Sequence, residues 1–360
     1  MIGSVLVVGT GLVGASVGLA LRRAGVRVWL DDAAPAPLGL AVELGVGERW
    51  TGEQVDVAVL AVPPDAVAPA LVALQARGVA RTYTDVASTK AGVLRDAVTG
   101  GADLRRFVGG HPLAGRERSG PAAARADLFA ERPWVLVAPP VAEPGALADV
   151  RALAEACRAR VVEMDAGAHD AAVALVSHLP QLVASLLAGR LIAAPDEALG
   201  LAGQGLRDTT RIAASDTELW VGIVAGNAAA IRDELRAYAD ALHALTAAVG
   251  RLAAGGDGVG EALEQVRATL ARGRAGRARL PGKRGIPAPS SGVVPVVVSD
   301  RSGELARLLG DVARAGVNLD DLVLEHARGQ PLGIAELHVP ATAADDLAAR
   351  LRAAGWPVRS

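Results

Sequence analysis

The sequence has too few cysteines for a disulfide network or a zinc site built from cysteines. It contains one cysteine, Cys157, in 360 residues, which excludes an internal disulfide network and a four-cysteine zinc site. A lone thiol fits a reducing compartment, so we expect a cytoplasmic protein without a metal centre. The formal net charge is only −2, which gives no general electrostatic reason to bind nucleic acid or an anionic membrane.

Long apolar runs and targeting signals are also lacking. The longest apolar stretch, 171–187, is interrupted by Ser177, His178, Pro180 and Gln181, so it makes a poor membrane span and predicts a buried helix. The N-terminus enters an apolar strand without a basic segment or a small-residue cleavage site, so we expect no signal peptide.

The pattern along the chain predicts an α/β protein of several domains. Residues 1–165 alternate short apolar runs with helical patterns, as in βαβ units of a mostly parallel sheet. Residues 166–280 lack strand signals and repeat apolar residues at spacings of three and four, which predicts an all-helical domain. Residues 281–292, rich in Pro, Gly and Ser, predict a linker, and 293–360 follow a β-α-β-β-α-β pattern.

A glycine motif between the first strand and the first helix predicts a dinucleotide site of the Rossmann type. Gly9 permits the tight turn, Gly11 lets the backbone approach a pyrophosphate, and Gly14 lets helix and strand pack closely. Asp31 closes the second strand, where an acid can accept both ribose hydroxyls and repel a 2′-phosphate, which favours NAD over NADP. The predicted cofactor-binding residues are Gly9, Gly11, Leu12, Val13, Gly14, Asp31, Val62 and Pro63.

Candidate reaction residues follow later strands of the same sheet, whose carboxyl ends are where such folds place ligands. His111 ends one strand beside two glycines, where a neutral imidazole can take a hydroxyl proton as hydride leaves the same carbon. Ser88 follows the preceding strand and can donate to that imidazole or to a nicotinamide amide. Lys90 has two interpretations, a helix cap or a ligand.

The helical region adds further polar candidates. His178 precedes Pro180, which is expected to kink the helix and free backbone carbonyls. Arg211 has the geometry to hold a substrate carboxylate through two hydrogen bonds, although a plain surface arginine is the simpler interpretation. The acid of His169-Asp170 lies at a helix start, where an acid is favourable in any case.

Taken in order, these motifs resemble those of the prephenate dehydrogenase family over about residues 1–280. The matching segments are Gly9-x-Gly11-x-x-Gly14, Asp85-x-x-Ser88-x-Lys90, Gly-Gly-His111-Pro-x-x-Gly115-x-Glu117-x-Ser119-Gly120, His169-Asp170, Ser177-His178-Leu-Pro, Arg207-Asp208-x-Thr-Arg211 and Asp216-x-x-x-Trp220. The C-terminal unit resembles an ACT domain at Asp300-Arg-Ser-Gly303 and at Gly316-Val-Asn318. Such regulatory domains bind amino acids at paired interfaces, which makes Asp300, Gly303 and Asn318 candidate regulatory residues.

The resemblance implies NAD-dependent oxidation of prephenate, with loss of CO₂, to 4-hydroxyphenylpyruvate in tyrosine biosynthesis. It implies that His111 accepts the proton of the C4 hydroxyl and that Ser88 orients His111 and the nicotinamide. It also implies substrate contacts from Arg211, His178 and Trp220, an aromatic amino-acid effector at the ACT domain, and a homodimer. Many relatives have a second histidine where this chain has Gln181, so Gln181 is also a candidate contact.

Two alternatives stay open at this stage. The first is arogenate dehydrogenase, which performs the same chemistry on a substrate whose amine replaces the keto group and which yields tyrosine. The second is a non-catalytic amino-acid sensor that uses the Rossmann and ACT folds as binding modules. The joint presence of His111, Ser88 and Arg211 argues against the sensor. A homoserine dehydrogenase is disfavoured because the region after the sheet is helical.

Overall fold

The computed structural model describes residues 2–114, 120–280, 291–326 and 331–359. It contains two compact units, Met1–Ala241 and Leu242–Ser360. The division falls inside a long helix, whereas composition placed the domain boundaries at 165 and 280. The predicted linker lies, for residues 281–290, outside the described residues.

The first unit is built on an eight-stranded sheet in the order β3-β2-β1-β4-β5-β6-β7-β8. All neighbouring strands are parallel except β6 and β7. The strands are β1 (Ser4–Val8), β2 (Arg27–Asp31), β3 (Glu48–Arg49), β4 (Val55–Leu60), β5 (Ala80–Asp85), β6 (Phe107–Pro112), β7 (Pro133–Val137) and β8 (Arg160–Glu163). The predicted parallel sheet is therefore present, and the two-residue β3 is an edge strand too short for its sequence to indicate.

The central strands are buried on both faces, as a parallel sheet flanked by helices requires. Side chains alternate between two cores because successive residues of a strand point to opposite faces. Val5 and Val7 join one apolar cluster, whereas Leu6 joins the other. Burying a Val or Leu side chain contributes about 1.5–3 kcal/mol, so these rows hold the sheet against its helices.

Helices cover the sheet and then continue as a helical segment. Those of the sheet region are α1 (Leu12–Arg23), α2 (Pro35–Glu43), α3 (Pro64–Ala76), α4 (Ala91–Thr99) and α5 (Pro144–Ala156). Those of the helical segment are α6 (Ala166–Val173), α7 (Leu179–Gly189), α8 (Asp196–Gly200), α9 (Gln204–Thr210), α10 (Thr217–Gly226) and α11 (Ala228–Ala254). A π-helical turn, Ala174–His178, joins α6 to α7 without a break.

One expectation about this segment is wrong for the chain taken by itself. The sequence predicted that the apolar stretch 171–187 would be a buried helix, but Leu175, Val176 and Leu186 are exposed. By length and composition alone the helical run Ala166–Ala193 is sufficient to cross a membrane, and 28% of its most apolar window is buried. Only one face of the run packs against the chain, and the other is uncovered.

The second unit contains the end of α11, helix α12 (Val259–Ala278) and a small α/β layer. The layer consists of β9 (Ser291–Ser299), α13 (Glu304–Arg314), β10 (Asp321–His326), β11 (Leu332–Pro340) and α14 (Ala341–Ala353). The antiparallel sheet has the order β10-β11-β9, and Val358 forms a bridge to Val296 on the free side of β9. The predicted β-α-β-β-α-β order is thus observed, although its last strand is reduced to this bridge.

Candidate active site

Four parallel strands bring the predicted site residues to one edge of the sheet. Strands β1, β4, β5 and β6 run in the same direction, so the segments after their carboxyl ends meet there. Those segments hold the glycine turn at Gly9, the pair Val62 and Pro63, the loop with Ser88, and His111. The edge is therefore the candidate site.

The glycine turn has the geometry that a bound diphosphate needs. Gly9 has a φ of +98°, and a Cβ there would lie 2.3 Å from the carbonyl oxygen of Ala61. A Cβ on Gly14 would lie 2.0 Å from the Gly9 carbonyl oxygen, so α1 packs onto the turn only with glycine. A Cβ on Gly11 would meet nothing within 4 Å, which leaves open space on the face that a ligand would approach.

The N-terminus of α1 provides the electrostatic part of the same fit. Gly11 is its N-cap and has no side chain to satisfy the first amides of the helix. Leu12 and Val13 form the first turn, so their amides are available to an anion at the positive end of the helix. These features fit a dinucleotide whose pyrophosphate lies at the turn.

Two adjacent acids at the end of β2 have different environments. Asp32 accepts hydrogen bonds from the Thr10 amide at 2.6 Å, the Thr10 hydroxyl at 2.7 Å and the Ala34 amide at 2.8 Å. Asp31 is half-buried, and among the described residues its carboxylate has no hydrogen-bond donor. Asp31 therefore keeps its acceptor oxygens available for a ribose, whereas Asp32 stabilises the glycine turn, a role that the sequence analysis missed.

His111 lies in a series of three hydrogen-bonded groups. Its Nδ1 is 2.8 Å from Nε2 of His169, and Nδ1 of His169 is 2.7 Å from Oδ1 of Asp170. The two rings meet edge to face with centroids 5.1 Å apart. His169 and Asp170 are buried, and His111 is half-buried.

Asp170 connects the helical segment to the sheet region. Its two carboxylate oxygens accept the backbone amides of Lys90 and Ala91, each at 2.8 Å, at the start of α4. Burial acts to raise the pKa of Asp170, but the hydrogen bonds from His169 and from these amides together lower it below its usual value. Asp170 is therefore an ionised acceptor, which the sequence showed only as an acid at a helix start.

Lys90 lies beneath the site, and its buried side chain supports an interpretation as a structural residue. Its ammonium forms an ion pair with the Asp85 carboxylate, and both side chains are fully buried. Asp85 also accepts the amide of Gly110 at 3.0 Å, which ties the end of β5 to β6 just before His111. Burial lowers the pKa of Lys90, and the Asp85 charge opposes that shift.

His178 lies at the end of the π-helical turn and contacts two further residues. Its Nδ1 is 3.3 Å from Nδ2 of Asn227, whose amide also donates to the Asp170 carbonyl at 2.8 Å. The Trp220 ring lies edge to face with His178, 5.9 Å between centroids. Asn227 closes α10 and gave no sequence signal beyond an ordinary helix end.

The imidazoles of His111 and His178 are neutral at pH 7. Burial, then the Lys90 charge and then the imidazoles of His169 and His178, lower the pKa of His111 well below its ordinary 6.5. Burial lowers the pKa of His178 to about 4, against the opposing charge of Asp170. A neutral imidazole can accept or donate one proton at fixed atoms, which suits proton transfer.

The structure also describes three further predicted site residues, Ser88, Gln181 and Arg211. The hydrogen bond expected from Ser88 to His111 is absent among the described residues, and the Nδ1 of His111 instead contacts His169. Gln181 is buried on α7, and the one-turn 3₁₀ helix that begins at exposed Arg211 packs on the same helix. The predicted motif residues Gly115, Glu117 and Ser119 lie outside the described residues.

The candidate regulatory residues belong to the second unit. Asp300 and Asn318 are exposed, and Gly303 is the left-handed N-cap of α13 with a φ of +90°. Over the described ranges, no group of three or more His, Cys, Asp or Glu side chains has an arrangement suited to a metal ion.

Two family models match the chain. The nucleotide-binding domain of prephenate dehydrogenase matches residues 17–163, and the dimerization domain of prephenate dehydrogenase matches residues 165–264. A probable prephenate dehydrogenase of Streptomyces niveus is 39% identical over 99% of each chain. The prephenate dehydrogenase of Bacillus subtilis is 30% identical over 64% of this chain and 66% of its own.

The chain is also similar to solved structures of prephenate and arogenate dehydrogenases. Prephenate dehydrogenase from A. aeolicus, in complex with hydroxyphenyl propionate and NAD⁺, has a TM-score of 0.68 at 27% identity and covers 77% of this chain and 98% of its own. Synechocystis arogenate dehydrogenase has a TM-score of 0.63 at 27% identity and covers 76% of this chain and 98% of its own.

The glycine turn makes a paired prediction. Gly14→Ala should lower the free energy of unfolding by about 1–3 kcal/mol, because its Cβ overlaps the Gly9 carbonyl. Gly11→Ala should keep the melting temperature of the parent chain but raise the Kd for the dinucleotide by roughly tenfold, the effect of losing about 1.4 kcal/mol. Thermal melting and titration with NAD measure the two effects, and equal affinity in Gly11→Ala would contradict the assignment of the turn.

Proposed function

The chain belongs to the prephenate dehydrogenase family, and on that basis we propose that it catalyses the NAD-dependent oxidative decarboxylation of prephenate to 4-hydroxyphenylpyruvate. The observation that carries the proposal is the half-buried, neutral His111 at the same sheet edge as the glycine turn. The glycine turn would hold NAD, the hydride acceptor, at the same edge as the proton acceptor, as oxidation of a ring hydroxyl requires.

The reaction balances with His111 as the group that exchanges the proton. Bound NAD would supply the hydride acceptor, and Gly11 and Asp31 would hold its pyrophosphate and its ribose. As hydride leaves C4, the hydroxyl O–H bond breaks and the proton passes to His111. The C–C bond to the ring carboxylate then breaks, CO₂ departs, and its electron pair makes the ring aromatic. The product oxygen takes the proton back from His111, so no net proton is released.

His178 supports the placement of the substrate. An Asn227 amide N–H donates to Nδ1 of His178, so the proton of this neutral ring is on Nε2. His178 therefore offers an N–H donor, which suits a keto or carboxylate oxygen of the substrate. Arg211 would bind a carboxylate, and Trp220 would limit the pocket beside His178.

Arogenate is the alternative substrate, and Gln181 is the residue that supports it. An amide carbonyl can accept a hydrogen bond from an ammonium group, whereas the N–H of His178 cannot. The Gln181 amide can also donate to a keto oxygen and so can bind either substrate, whereas the N–H of His178 favours prephenate. A non-catalytic sensor is the weaker alternative, because sensing requires no neutral base beside the glycine turn.

We also propose a homodimer formed through the helical segment. Ile192 is 89% exposed and Leu201 is 87% exposed, and an apolar groove of about 330 Å³ runs along α10 and α11 between Val224 and Ala239. A second copy would cover these residues, as the family name of the dimerization domain suggests.

The β-α-β-β-α-β layer of the second unit is proposed to be an ACT domain that binds an aromatic amino acid. Its antiparallel sheet carries α13 and α14 on one face, with Leu308 and Leu347 in the core between them. Gly303, the left-handed N-cap of α13, ends the loop from Asp300 that resembles the ACT loop-to-helix signature.

Replacing His111 tests the catalytic proposal. His111→Asn should lower kcat by about 10²–10⁴-fold, since general-base catalysis contributes that much, while the Kd for NAD stays unchanged. The assay follows NADH at 340 nm with prephenate or arogenate, each paired with NAD or NADP. A parent chain inactive with both substrates would refute the function, and an unchanged kcat in the variant would refute the role of His111.

The pH profile of the same assay gives a second readout. An imidazole of ordinary pKa would give an ionisation near 6.5, but the lowered pKa of His111 moves the loss of activity to more acidic pH. We expect kcat/KM to be flat from pH 6.5 to 8 and to fall only below that range. Stability should also decline below pH 6.5, because the unfolded chain then binds protons that the buried imidazoles do not bind.

The proposed dimer predicts a molecular mass of twice 36.4 kDa by light scattering. Ile192→Glu should shift the chain toward monomer, because a charge would be buried without a partner at the interface. Val98→Glu is a matched control, since Val98 is an exposed valine on the sheet region. A parent chain that remains monomeric at high concentration would contradict the proposal.

The proposed effector site predicts that tyrosine or another aromatic amino acid binds the full-length chain. Asn318→Ala should weaken this binding without changing the melting temperature, because Asn318 is exposed and makes no contribution to the core. Calorimetric titration of the full chain measures the affinity. Absence of binding by any aromatic amino acid would refute the effector site and leave the dehydrogenase assignment untouched.

A further inference from the structure

The buried series Asp170–His169–His111 has a consequence for the reactive atom of the site. We propose that His169 is a positioning residue that, with Asp170, holds the proton of His111 on Nδ1 and leaves Nε2 as the proton acceptor. The inference rests on the proposed function for its kinetic consequence, whereas the proton positions follow from the hydrogen bonds of a series in which each ring carries one proton.

The first step is the state of Asp170. Its carboxylate accepts hydrogen bonds from the backbone amides of Lys90 and Ala91, and its Oδ1 lies 2.7 Å from Nδ1 of His169. Backbone amides can only donate, so both oxygens already act as acceptors. A carboxylate in this setting has no proton to give, and the hydrogen on the third contact therefore belongs to His169.

The second step transfers this constraint to the next ring. A neutral imidazole carries one proton, so a hydrogen on Nδ1 of His169 leaves its Nε2 with a lone pair. That Nε2 lies 2.8 Å from Nδ1 of His111, and a hydrogen bond between two ring nitrogens needs one hydrogen. The hydrogen must come from His111, which leaves Nε2 of His111 as a bare acceptor.

The third step concerns the charge that forms during the reaction. When Nε2 of His111 takes the hydroxyl proton, its Nδ1–H bond to His169 becomes a charge-assisted and therefore stronger hydrogen bond. His169 in turn is held by the Asp170 carboxylate. The other groups around His111 are the Lys90–Asp85 ion pair and neutral His178, and the Lys90 charge opposes protonation. The hydrogen bonds that run from His111 through His169 to Asp170 stabilise the protonated ring and so counteract the effect of the Lys90 charge.

The test begins with the parent protein, so it does not depend on a variant that folds. Nitrogen-15 NMR of histidine-labelled full-length chain at pH 7 distinguishes a protonated ring nitrogen from a bare one, and His111→Asn assigns the signal among the six histidines. We expect His111 to carry its proton on Nδ1. A proton on Nε2 would overturn the proposal even if the enzyme is active.

Variants of His169 then connect the proton position to catalysis. His169→Phe removes both nitrogens and should lower kcat by about 10²-fold or more while the Kd for NAD stays unchanged. His169→Gln keeps an acceptor oxygen near the position of Nε2 and should recover most of the lost kcat. His243→Phe, a change at an exposed histidine, is the matched control and should be neutral.

The outcomes separate the two proposals. A parent chain that is inactive with prephenate and arogenate but shows the expected nitrogen signals would refute the function and leave the proton positions intact. An active parent in which His169→Phe keeps its kcat and the pH profile of kcat would overturn the positioning role. Equal losses in the Phe and Gln variants, with an unchanged nitrogen pattern at His111, would also overturn it.

Discussion

The candidate site depends on one buried carboxylate. Asp170 joins three parts of the first unit. Its carboxylate accepts hydrogen bonds from the two amides that begin α4 and from the ring of His169. Its backbone carbonyl accepts a hydrogen bond from the side-chain amide of Asn227. An ionised carboxylate without donors would be very costly to bury, and the hydrogen bonds from the two amides and from His169 offset that cost. The orientation of His111 is therefore a property of the whole arrangement and not of its own strand.

A second constraint, independent of the first, shapes the nucleotide side of the edge. The glycine turn requires residues without a side chain, because a Cβ on Gly9 or Gly14 would overlap neighbouring atoms, and Gly11 faces open space. Asp32 holds the turn from the side through Thr10. A carboxylate network thus positions the proton acceptor, and absent side chains make room for the cofactor that family membership implies.

Local patterns predicted the elements well and the contacts between them poorly. Strand alternation and the glycine spacing located the sheet, the nucleotide turn and His111, because these signals are contained in short segments. The ion pair of Lys90 with Asp85 and the bridge from Asn227 to Asp170 were missed, since their side chains meet only after folding. Ser88 was expected beside His111 because it follows a neighbouring strand, whereas the structure supplies His169 from 58 positions away.

The π-helical turn explains how one helical run can place Asp170 and His178 together. In a regular α-helix, eight residues advance about 800°, which leaves His178 roughly 80° away from Asp170 around the axis. A π turn absorbs about one extra residue, so the same separation behaves as about seven positions, or nearly two full turns. Both residues then lie on one face, where Asn227 bridges them. The opposite face keeps its apolar side chains exposed, so the polar face that completes the site and the apolar face available to a second copy belong to the same run of residues.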